Sequence, residues 1–551
     1  MKISIKTLKK LEVKSLTIKQ KTMKTRGLVK LIYAGMLLVA VSCGEMSEAD
    51  GGQYQQQNDY AMESAESSEE GYADSAIETL AEEMEIPHEN FNTEEYDYIP
   101  ENDFLSPGVN PLSTFSIDVD NASYTNVRRM LNQGEQPPVD AVRSEEFINY
   151  FDYDYPVPSK EDVFSVYTEV ATCPWNEKNQ LLHIGLKGYT VPIEELAPSN
   201  LVFLIDVSGS MGADNKLPLL KKSFKLMVDR LNEQDRVSIV TYAGEERLVL
   251  EATSCENKAL IKEAIDHLDS KGSTNGEGGI EMAYAQAQKG FVKGGNNRVI
   301  LATDGDFNIG RSSGGELTRL IESKRDLGVY LTILGFGMGN YKDARMESLT
   351  NHGNGNYFYI DEISESHHVL VKNLAGTLMT IAKDVKIQVE FNPNTVAEYR
   401  LIGYENRLMN AEDFEDDKKD AGELGAGHTV TAIYEIVAGE AGAGDLKYQH
   451  QSRNNATDLG TVKLRFKRPD QTKSEYREIR VLPSKRDWKE ASKDFRFSAS
   501  VAAFSQLLRS SQYMNNFDWE EVSAMAKEAT DMQELDRLEF IGLIEKAALL
   551  Q

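Results

Sequence analysis

Buried-strand and amphipathic-helix patterns alternate through the middle of the chain, between residues 198 and 376. The strands are short, nearly continuous apolar runs, and the helices repeat their apolar residues at three- and four-residue spacing. This alternation predicts a doubly wound α/β fold, in which helices cover both faces of a mostly parallel sheet. The predicted strands are 200–206, 236–242, 298–303, 330–335 and 356–360, with an edge strand at 247–250, and the predicted helices are 216–231, 258–268, 278–288, 314–327 and 363–374.

On both sides of this region the apolar residues alternate with period two, as in half-buried strands. Gly-, Ala- and Asp-rich turns separate the later strands, so we expect a sandwich, and two earlier segments are expected to supply its missing strands. The expected strands are 164–172 and 181–186 before the α/β region and 385–391, 399–402, 430–437, 461–466 and 476–481 after it. Helical spacing predicts C-terminal helices at 495–508, 519–529 and 533–550.

These patterns divide the chain into seven segments. We expect a signal peptide at 1–42, an acidic tether at 43–104, an N-terminal module at 105–160, strands joining the β-rich segment at 161–197, the α/β domain at 198–376, the β-rich segment at 377–482 and a helical region at 483–551. The N-terminal module contains a predicted strand at 113–119 and helices at 123–133 and 145–150. Asp118 and Asp120 precede the first of these helices, and we expect this segment to cap it.

The N-terminus predicts export and lipidation. A basic region, a short apolar core and small residues precede Cys43, which is typical of a secretory signal and too short for a membrane span. Met23 is an alternative start. Ala40-Val41-Ser42-Cys43 resembles a bacterial lipobox, in which the cysteine carries the lipid. We therefore expect a cell-envelope protein anchored to the outer membrane of a Gram-negative bacterium. The sequence leaves open whether the protein faces the periplasm or the cell surface, although acids soon after Cys43 favour the surface.

The composition of the chain excludes some classes of binding partner. The 88 acidic residues exceed the 60 Lys and Arg residues, and the formal net charge is −28, so the overall field opposes binding of a nucleic acid. The chain has no Gly-Lys pair and therefore no phosphate-binding Walker loop, so we expect no nucleotide. After processing, Cys173 and Cys255 would remain. We expect two small buried residues, and the sequence leaves open whether they pair.

The chemistry lies at the ends of two predicted strands. The apolar run 201–205 ends in Asp206, Ser208 and Ser210, and the strand 298–303 ends in Asp304. Ligands in doubly wound folds bind beyond the carboxyl ends of the strands. Thr274, in a loop between two predicted helices, adds a third hydroxyl. Carboxylate and hydroxyl oxygens are ligands for a hard divalent cation.

This order of Asp-x-Ser-x-Ser, Thr and Asp-Gly resembles the metal-ion-dependent adhesion site of von Willebrand factor type A (VWA) domains. The resemblance covers about residues 198–376. It implies a divalent cation, foremost Mg²⁺ with Mn²⁺ and Ca²⁺ as alternatives, held directly or through water by Asp206, Ser208, Ser210, Thr274 and Asp304. The flanking regions resemble those of one bacterial lipoprotein subfamily. Asp306 and Asn308 lie at the same edge and either orient waters or Asp304, or cap the loop.

A cation held by two carboxylates and three hydroxyls keeps a position that an Asp or Glu of a protein partner can fill. We therefore expect adhesion or complex assembly rather than catalysis. The alternative is an envelope scaffold in which the metal only stabilises the fold. A metal-assisted hydrolase is least favoured, because we identify no His or Lys near the ligand loops to serve as a general base.

Other motifs have simpler interpretations. Gly310 to Gly314 matches the nucleophile-elbow pattern but does not directly follow a strand, and 335–339 is interpreted as a glycine-rich turn. His367 and His368 are expected to be a surface pair. The aromatic residues Trp488, Phe517 and Trp519 are expected in the core rather than in a carbohydrate platform.

Overall fold

Strands and helices alternate in the middle of the chain and separate towards its two ends. The structure, a computed structural model, describes residues 94–159, 161–272, 277–305, 314–339, 341–441 and 457–550. In these residues the strands are β1 (Leu112–Ser116), β2 (Phe164–Cys173), β3 (Asn176–Gly188), β4 (Ser199–Asp206), β5 (Arg236–Tyr242), β6 (Glu246–Ser254), β7 (Asn296–Thr303), β8 (Tyr330–Phe336), β9 (Tyr357–Ile360), β10 (Thr380–Phe391), β11 (Val396–Ile402), β12 (Leu408–Met409), β13 (Gly422–Gly425), β14 (Thr429–Ala438), β15 (Gly460–Lys467) and β16 (Glu475–Val481). The helices are α1 (Ala122–Gln133), α2 (Ser144–Asn149), α3 (Leu217–Arg230), α4 (Lys258–Asp266), α5 (Glu277–Lys289), α6 (Gly314–Arg325), α7 (Asp343–His352), α8 (Ile363–His367), α9 (Leu374–Leu378), α10 (Lys493–Leu508), α11 (Trp519–Glu528) and α12 (Leu535–Leu550).

The strands β4 to β9 form one six-stranded sheet in the order β6-β5-β4-β7-β8-β9. Neighbouring strands pair in parallel, except that β6 runs antiparallel to β5 at the edge. The middle strand β4 is buried along its whole length, as its continuous apolar run requires. The predicted doubly wound α/β fold is therefore confirmed, together with its edge strand.

Two further sheets pack into a sandwich around an apolar core. One has the strand order β12-β1-β10-β15-β16, with β13 paired to β10, and the other has the order β11-β14-β3-β2. Because β2 and β3 precede the α/β domain while the strands from β10 onwards follow it, the α/β domain is inserted into the sandwich. The segment 105–160, expected to be a module of its own, supplies β1 to this sandwich, where β1 pairs antiparallel with β10.

The helices α10 to α12 cover the outer face of the second sheet together with α2, while α1 contacts α2, α12 and the strand β9. Phe497, Phe504 and Phe540 lie in the core of this helical layer. The side chains of Trp488, Phe517 and Trp519 are partly buried against the same core, in agreement with the expected packing role. No helix within the described ranges is both long and apolar enough to cross a membrane.

Two stretches of the α/β domain differ from the sequence prediction. The helix α7 was not predicted, because it buries polar residues such as Asp343 and Thr350 beside Met346 and so lacks a clean apolar stripe. The predicted helix 363–374 is divided into α8, a π-helical turn at His368–Lys372 and α9. This change of pitch buries the His368 ring against Tyr150, with 4.9 Å between ring centroids. The predicted surface pair is therefore wrong for His368, while His367 is exposed.

Buried arginines join the segment before β2 to the inserted domain. Arg143 makes ion pairs with Glu146 of α2 and with Asp343 of α7, and Glu347 lies 3.7 Å away. All four side chains are almost completely shielded from water. Because charges at this depth are costly unless paired, the guanidinium and its carboxylates depend on one another.

Asp118 and Asp120, which were predicted to cap α1, instead contact a second arginine. Arg407 lies 3.0 Å from Asp118 and 3.3 Å from Asp120, and the Tyr357 backbone N–H donates to Asp120 Oδ1 at 2.9 Å. Asn121 occupies the N-cap position of α1 without a side-chain capping bond. Burial and the neighbouring Asp118 carboxylate raise the pKa of Asp120. These acids therefore bind a cation from the sandwich instead of capping the helix.

The two cysteines are buried and unpaired. Cys173 lies in the core beneath the C-terminal helices, and Cys255 lies in the core of the α/β domain. Their places in separate cores explain why they do not form a disulfide.

Replacing Arg143 by methionine is expected to lower the free energy of unfolding by about 3–5 kcal/mol, because Glu146 and Asp343 would stay buried without their cation. Urea denaturation followed by fluorescence measures the loss. The control is Lys225→Met, since Lys225 and Asp266 form a partly exposed pair at 2.6 Å, for which about 1 kcal/mol or less is expected. Equal losses in the two variants would contradict the proposed importance of the buried ion pairs.

Candidate metal centre

The end of β4 places Asp206 at the carboxyl edge of the central sheet. Its carboxylate is buried, and Oδ1 accepts a hydrogen bond from the Ser208 backbone N–H at 2.8 Å. The chain then enters a 3-10 turn, Gly209–Gly212, and the Ser208 and Ser210 hydroxyl oxygens lie 2.9 Å apart. Ser208 is buried while Ser210 is exposed. The buried carboxylate is therefore followed within four residues by a pair of hydroxyls of which one is exposed.

Asp304 follows β7, the parallel neighbour of β4, and so lies at the same edge. Its side chain is buried, and its Oδ2 accepts a hydrogen bond from Lys216 Nζ at 2.9 Å. Lys216 directly precedes α3, and sequence reasoning missed it. The expectation that no Lys lies near the ligand loops is therefore wrong, because the turn after Asp206 returns the chain to the edge at position 216.

Three of the predicted site residues, Thr274, Asp306 and Asn308, lie outside the described residues, as do residues 310–313 of the elbow pattern. The loop that leads towards Thr274 is described as far as Gly272. The Gly272 carbonyl accepts a hydrogen bond from the Gly209 N–H at 2.9 Å, and the Lys271 N–H donates to the Val207 carbonyl at 2.7 Å. Residues 271–272 thus contact the Asp-x-Ser-x-Ser loop directly.

Burial disfavours the ionised form of the Asp206 carboxylate when no cation is bound. The pKa of Asp206 is raised to about 6, chiefly by burial and in part by the nearby Asp304 carboxylate, while hydrogen bonds from Ser208 and the Tyr242 hydroxyl act in the opposite direction. The second oxygen, Oδ2, is buried and accepts no hydrogen bond of standard geometry from the described residues. An oxygen in this situation is suited to coordination of a cation.

The donors at this edge fit a hard divalent ion. Among the residues that the structure describes, no group of three or more His, Cys, Asp or Glu side chains is placed to hold a metal ion. Hydroxyl oxygens such as those of Ser208 and Ser210 would therefore have to share the coordination with Asp206 and Asp304. Carboxylates and hydroxyls are oxygen ligands that Mg²⁺ accepts while it retains waters.

The glycine-rich stretch after β8 forms one wall of the site. A Cβ on Gly337 would lie 2.3 Å from Lys216 Cε, so the lysine stem passes directly over this glycine. The next glycine, Gly339, donates its backbone N–H to Glu94 Oε1 at 2.9 Å. The interpretation as a turn is consistent with the left-handed conformation of both glycines. The first described residues of the chain therefore lie against the loop that contacts Lys216.

In protein freed of divalent cations by EDTA, Asp206→Asn is expected to raise the free energy of unfolding by about 1–3 kcal/mol, because an uncompensated buried charge is removed while an acceptor for the Ser208 N–H remains. The folded-state pKa is raised, so this gain is complete above about pH 6 and disappears as the pH falls towards the ordinary value of 3.8. Denaturation curves between these pH values measure the gain.

The matched control for this measurement is Asp214→Asn, since Asp214 is an exposed acid of the same loop. It should change the free energy of unfolding by no more than about 0.5 kcal/mol. A destabilised Asp206→Asn variant in EDTA would contradict the conclusion that the buried Asp206 charge is uncompensated when no cation is bound.

Three family descriptions match successive parts of the chain. Residues 200–373 match the von Willebrand factor type A domain, residues 90–183 match a family described as von Willebrand factor, and residues 376–550 match the family "Uncharacterized protein YfbK, C-terminal". The first match spans the sheet that carries Asp206 and Asp304. A VWA domain is of a type that commonly mediates protein–protein interaction or adhesion.

Individual proteins also match this chain over different shares of its length. The chain is 44% identical over 473 residues to "Uncharacterized protein YfbK" of Escherichia coli (strain K12), covering 83% of this chain and 82% of that protein. It is 25% identical to human inter-alpha-trypsin inhibitor heavy chain H3 over 264 residues, 44% of this chain and 29% of that protein. Among solved structures, a von Willebrand factor type A protein from Catenulispora acidiphila matches with a TM-score of 0.40 and 15% identity, over 73% of this chain and 91% of that one. The chain belongs to the bacterial VWA-domain family that includes the YfbK protein of Escherichia coli.

Proposed function

We propose that this protein binds a protein partner at the cell envelope through a divalent cation held at the edge of its VWA domain. The observation that carries the proposal is the buried Asp206 carboxylate, whose Oδ2 accepts no hydrogen bond of standard geometry from the described residues. Two residues further on, the buried Ser208 hydroxyl lies 2.9 Å from the hydroxyl of the exposed Ser210. A site with such a buried carboxylate oxygen and an exposed hydroxyl is suited to recognition of an external ligand.

The proposed ligand set is Asp206, Ser208, Ser210, Thr274 and Asp304, acting directly or through water. Asp306 and Asn308 are proposed to orient waters or Asp304. The cation, Mg²⁺ foremost with Mn²⁺ and Ca²⁺ as alternatives, would supply an open coordination position for an Asp or Glu carboxylate of the partner. Such a contact at the centre of an interface acts as a charge-assisted anchor.

Attachment is favoured over hydrolysis by the role of the nearby lysine. Lys216 donates to Asp304 Oδ2 and is therefore engaged as a cation rather than available as a proton acceptor. A general base must accept a proton from the attacking water, so the geometry of Lys216 does not supply one. A scaffold role, in which the metal only stabilises the fold, is the alternative that the next experiment separates.

Affinity capture from envelope extract is expected to recover a partner in Mg²⁺, to lose it in EDTA and to regain it when Mg²⁺ is restored. Asp206→Ala should abolish the capture, because it removes a proposed ligand whose carboxylate is buried at the sheet edge. Quantitative mass spectrometry of the captured proteins measures these changes. The exposed Asp214→Ala serves as the matched control and should retain the partner.

Capture that is indifferent to EDTA and to Asp206→Ala would contradict cation-dependent recognition. A partner that is retained in EDTA while the melting temperature falls would instead support the scaffold. The two functions therefore give different results in the same samples.

We further propose that Cys43 carries a lipid that anchors the chain to the outer membrane. Cells fed an alkyne fatty acid should incorporate the label into the wild-type protein, and Cys43→Ser should abolish the label, because its hydroxyl is not the thiol acceptor of lipidation. In-gel fluorescence measures the incorporation. Cys173→Ser is the control and should keep the label, since Cys173 is buried in the folded protein. Equal labelling of Cys43→Ser and wild type would contradict the anchor.

A further inference from the structure

Lys216 places an ammonium group inside the candidate metal centre. Its Nζ lies 2.9 Å from Asp304 Oδ2, and the exposed fractions of the two side chains are 12% and 1%. The ion pair is therefore shielded from solvent, and it lies at the same edge of the sheet as Asp206. Salt screens shielded charges much less than it screens surface charges, so this lysine acts strongly on any other cation that Asp304 binds.

The fold around Lys216 is shaped to hold its side chain. A Cβ on Gly337 would lie 2.3 Å from Lys216 Cε and 2.7 Å from its Cγ. Gly337 also has a φ of 77°, which residues with a side chain adopt only at a cost. The absence of a side chain at this position leaves the path that the lysine stem follows to Asp304.

We propose that Lys216 is a tethered counter-cation of the metal centre, which competes with the divalent ion for Asp304 and thereby sets how tightly the ion binds. The inference rests on the proposed metal site. If the ammonium stays in place, two cations share one carboxylate and repel each other. If it moves away, the divalent ion must first break a shielded ion pair. Both responses weaken metal binding.

The same lysine has the opposite effect when no metal is bound. The buried Asp304 carboxylate then keeps a cation, which lowers the cost of burying this charge in the empty site. When a divalent ion and Lys216 are present together, Asp206 and Asp304 balance only part of the positive charge. The excess favours an anionic group on the partner, which links metal binding to partner binding.

The test uses the wild-type chain and Lys216→Gln, with Mg²⁺ alone as the probe. Isothermal titration calorimetry should show Mg²⁺ binding about 10-fold tighter to the variant, because a nearby positive charge is removed. The melting temperature of the variant in EDTA should fall, because Asp304 loses its cation. A lysine with a purely structural role would lower the melting temperature without tightening Mg²⁺ binding, and that result would overturn the inference.

Lys271→Gln is the matched control, since Lys271 lies on the neighbouring loop with a side chain that is 81% exposed. Its removal should change Mg²⁺ affinity by less than about 3-fold, because solvent and salt screen it. Gly337→Ala is the second variant, which displaces the lysine stem without removing its charge and should also tighten Mg²⁺ binding. Unchanged or weaker binding in Lys216→Gln, or in Gly337→Ala if the first variant does not fold, overturns the inference. Absence of Mg²⁺ binding to wild type and variants alike would overturn the proposed function instead.

Discussion

Parallel hydrogen bonding of β4 to its neighbours β5 and β7 is the constraint on which the candidate centre depends. Parallel strands end at a common edge, so pairing of Leu204 with Leu301 and of Ile205 with Ala302 brings the residues after both strands together. Asp206 and Asp304 are separated by almost a hundred residues along the chain and become neighbours through this register alone. The buried apolar length of β4 leaves little freedom for the register to slip.

Buried carboxylates and the cations that hold them recur through the molecule. Asp304 pairs with Lys216 in the site, Asp343 pairs with Arg143 between segments, and Asp118 pairs with Arg407 between the sandwich and the N-terminal helices. In the arginine pairs the cation belongs to the fold and stays. At the candidate metal centre we propose instead that a divalent ion competes with Lys216 for Asp304, which would distinguish this ion pair from the structural ones.

The α/β domain, which carries the candidate metal centre, is inserted into the sandwich. The strands β3 and β14, which pair along their length, lie on opposite sides of the insertion in sequence. The domain is thus held at both of its ends. Near the candidate metal centre, the Glu94 carboxylate accepts a hydrogen bond from the Gly339 backbone N–H, and the Glu95 backbone N–H donates to the Tyr341 carbonyl at 3.0 Å. Residues 94 and 95 therefore lie beside the loop that contacts Lys216.

The sequence by itself determined the class of fold, the inserted order of its strands and the positions of Asp206, Ser208, Ser210 and Asp304 at strand ends, because periodicity and strand termini are local properties. Only the tertiary structure showed Lys216 on Asp304, the acids Asp118 and Asp120 on an arginine of the sandwich, and the helix α7. Each of these features depends on a partner distant in sequence. In α7, the buried acidic residues are tolerated because other elements supply their partners. A local pattern does not predict such ion pairs, since the cation and the carboxylate lie on elements that are distant in sequence.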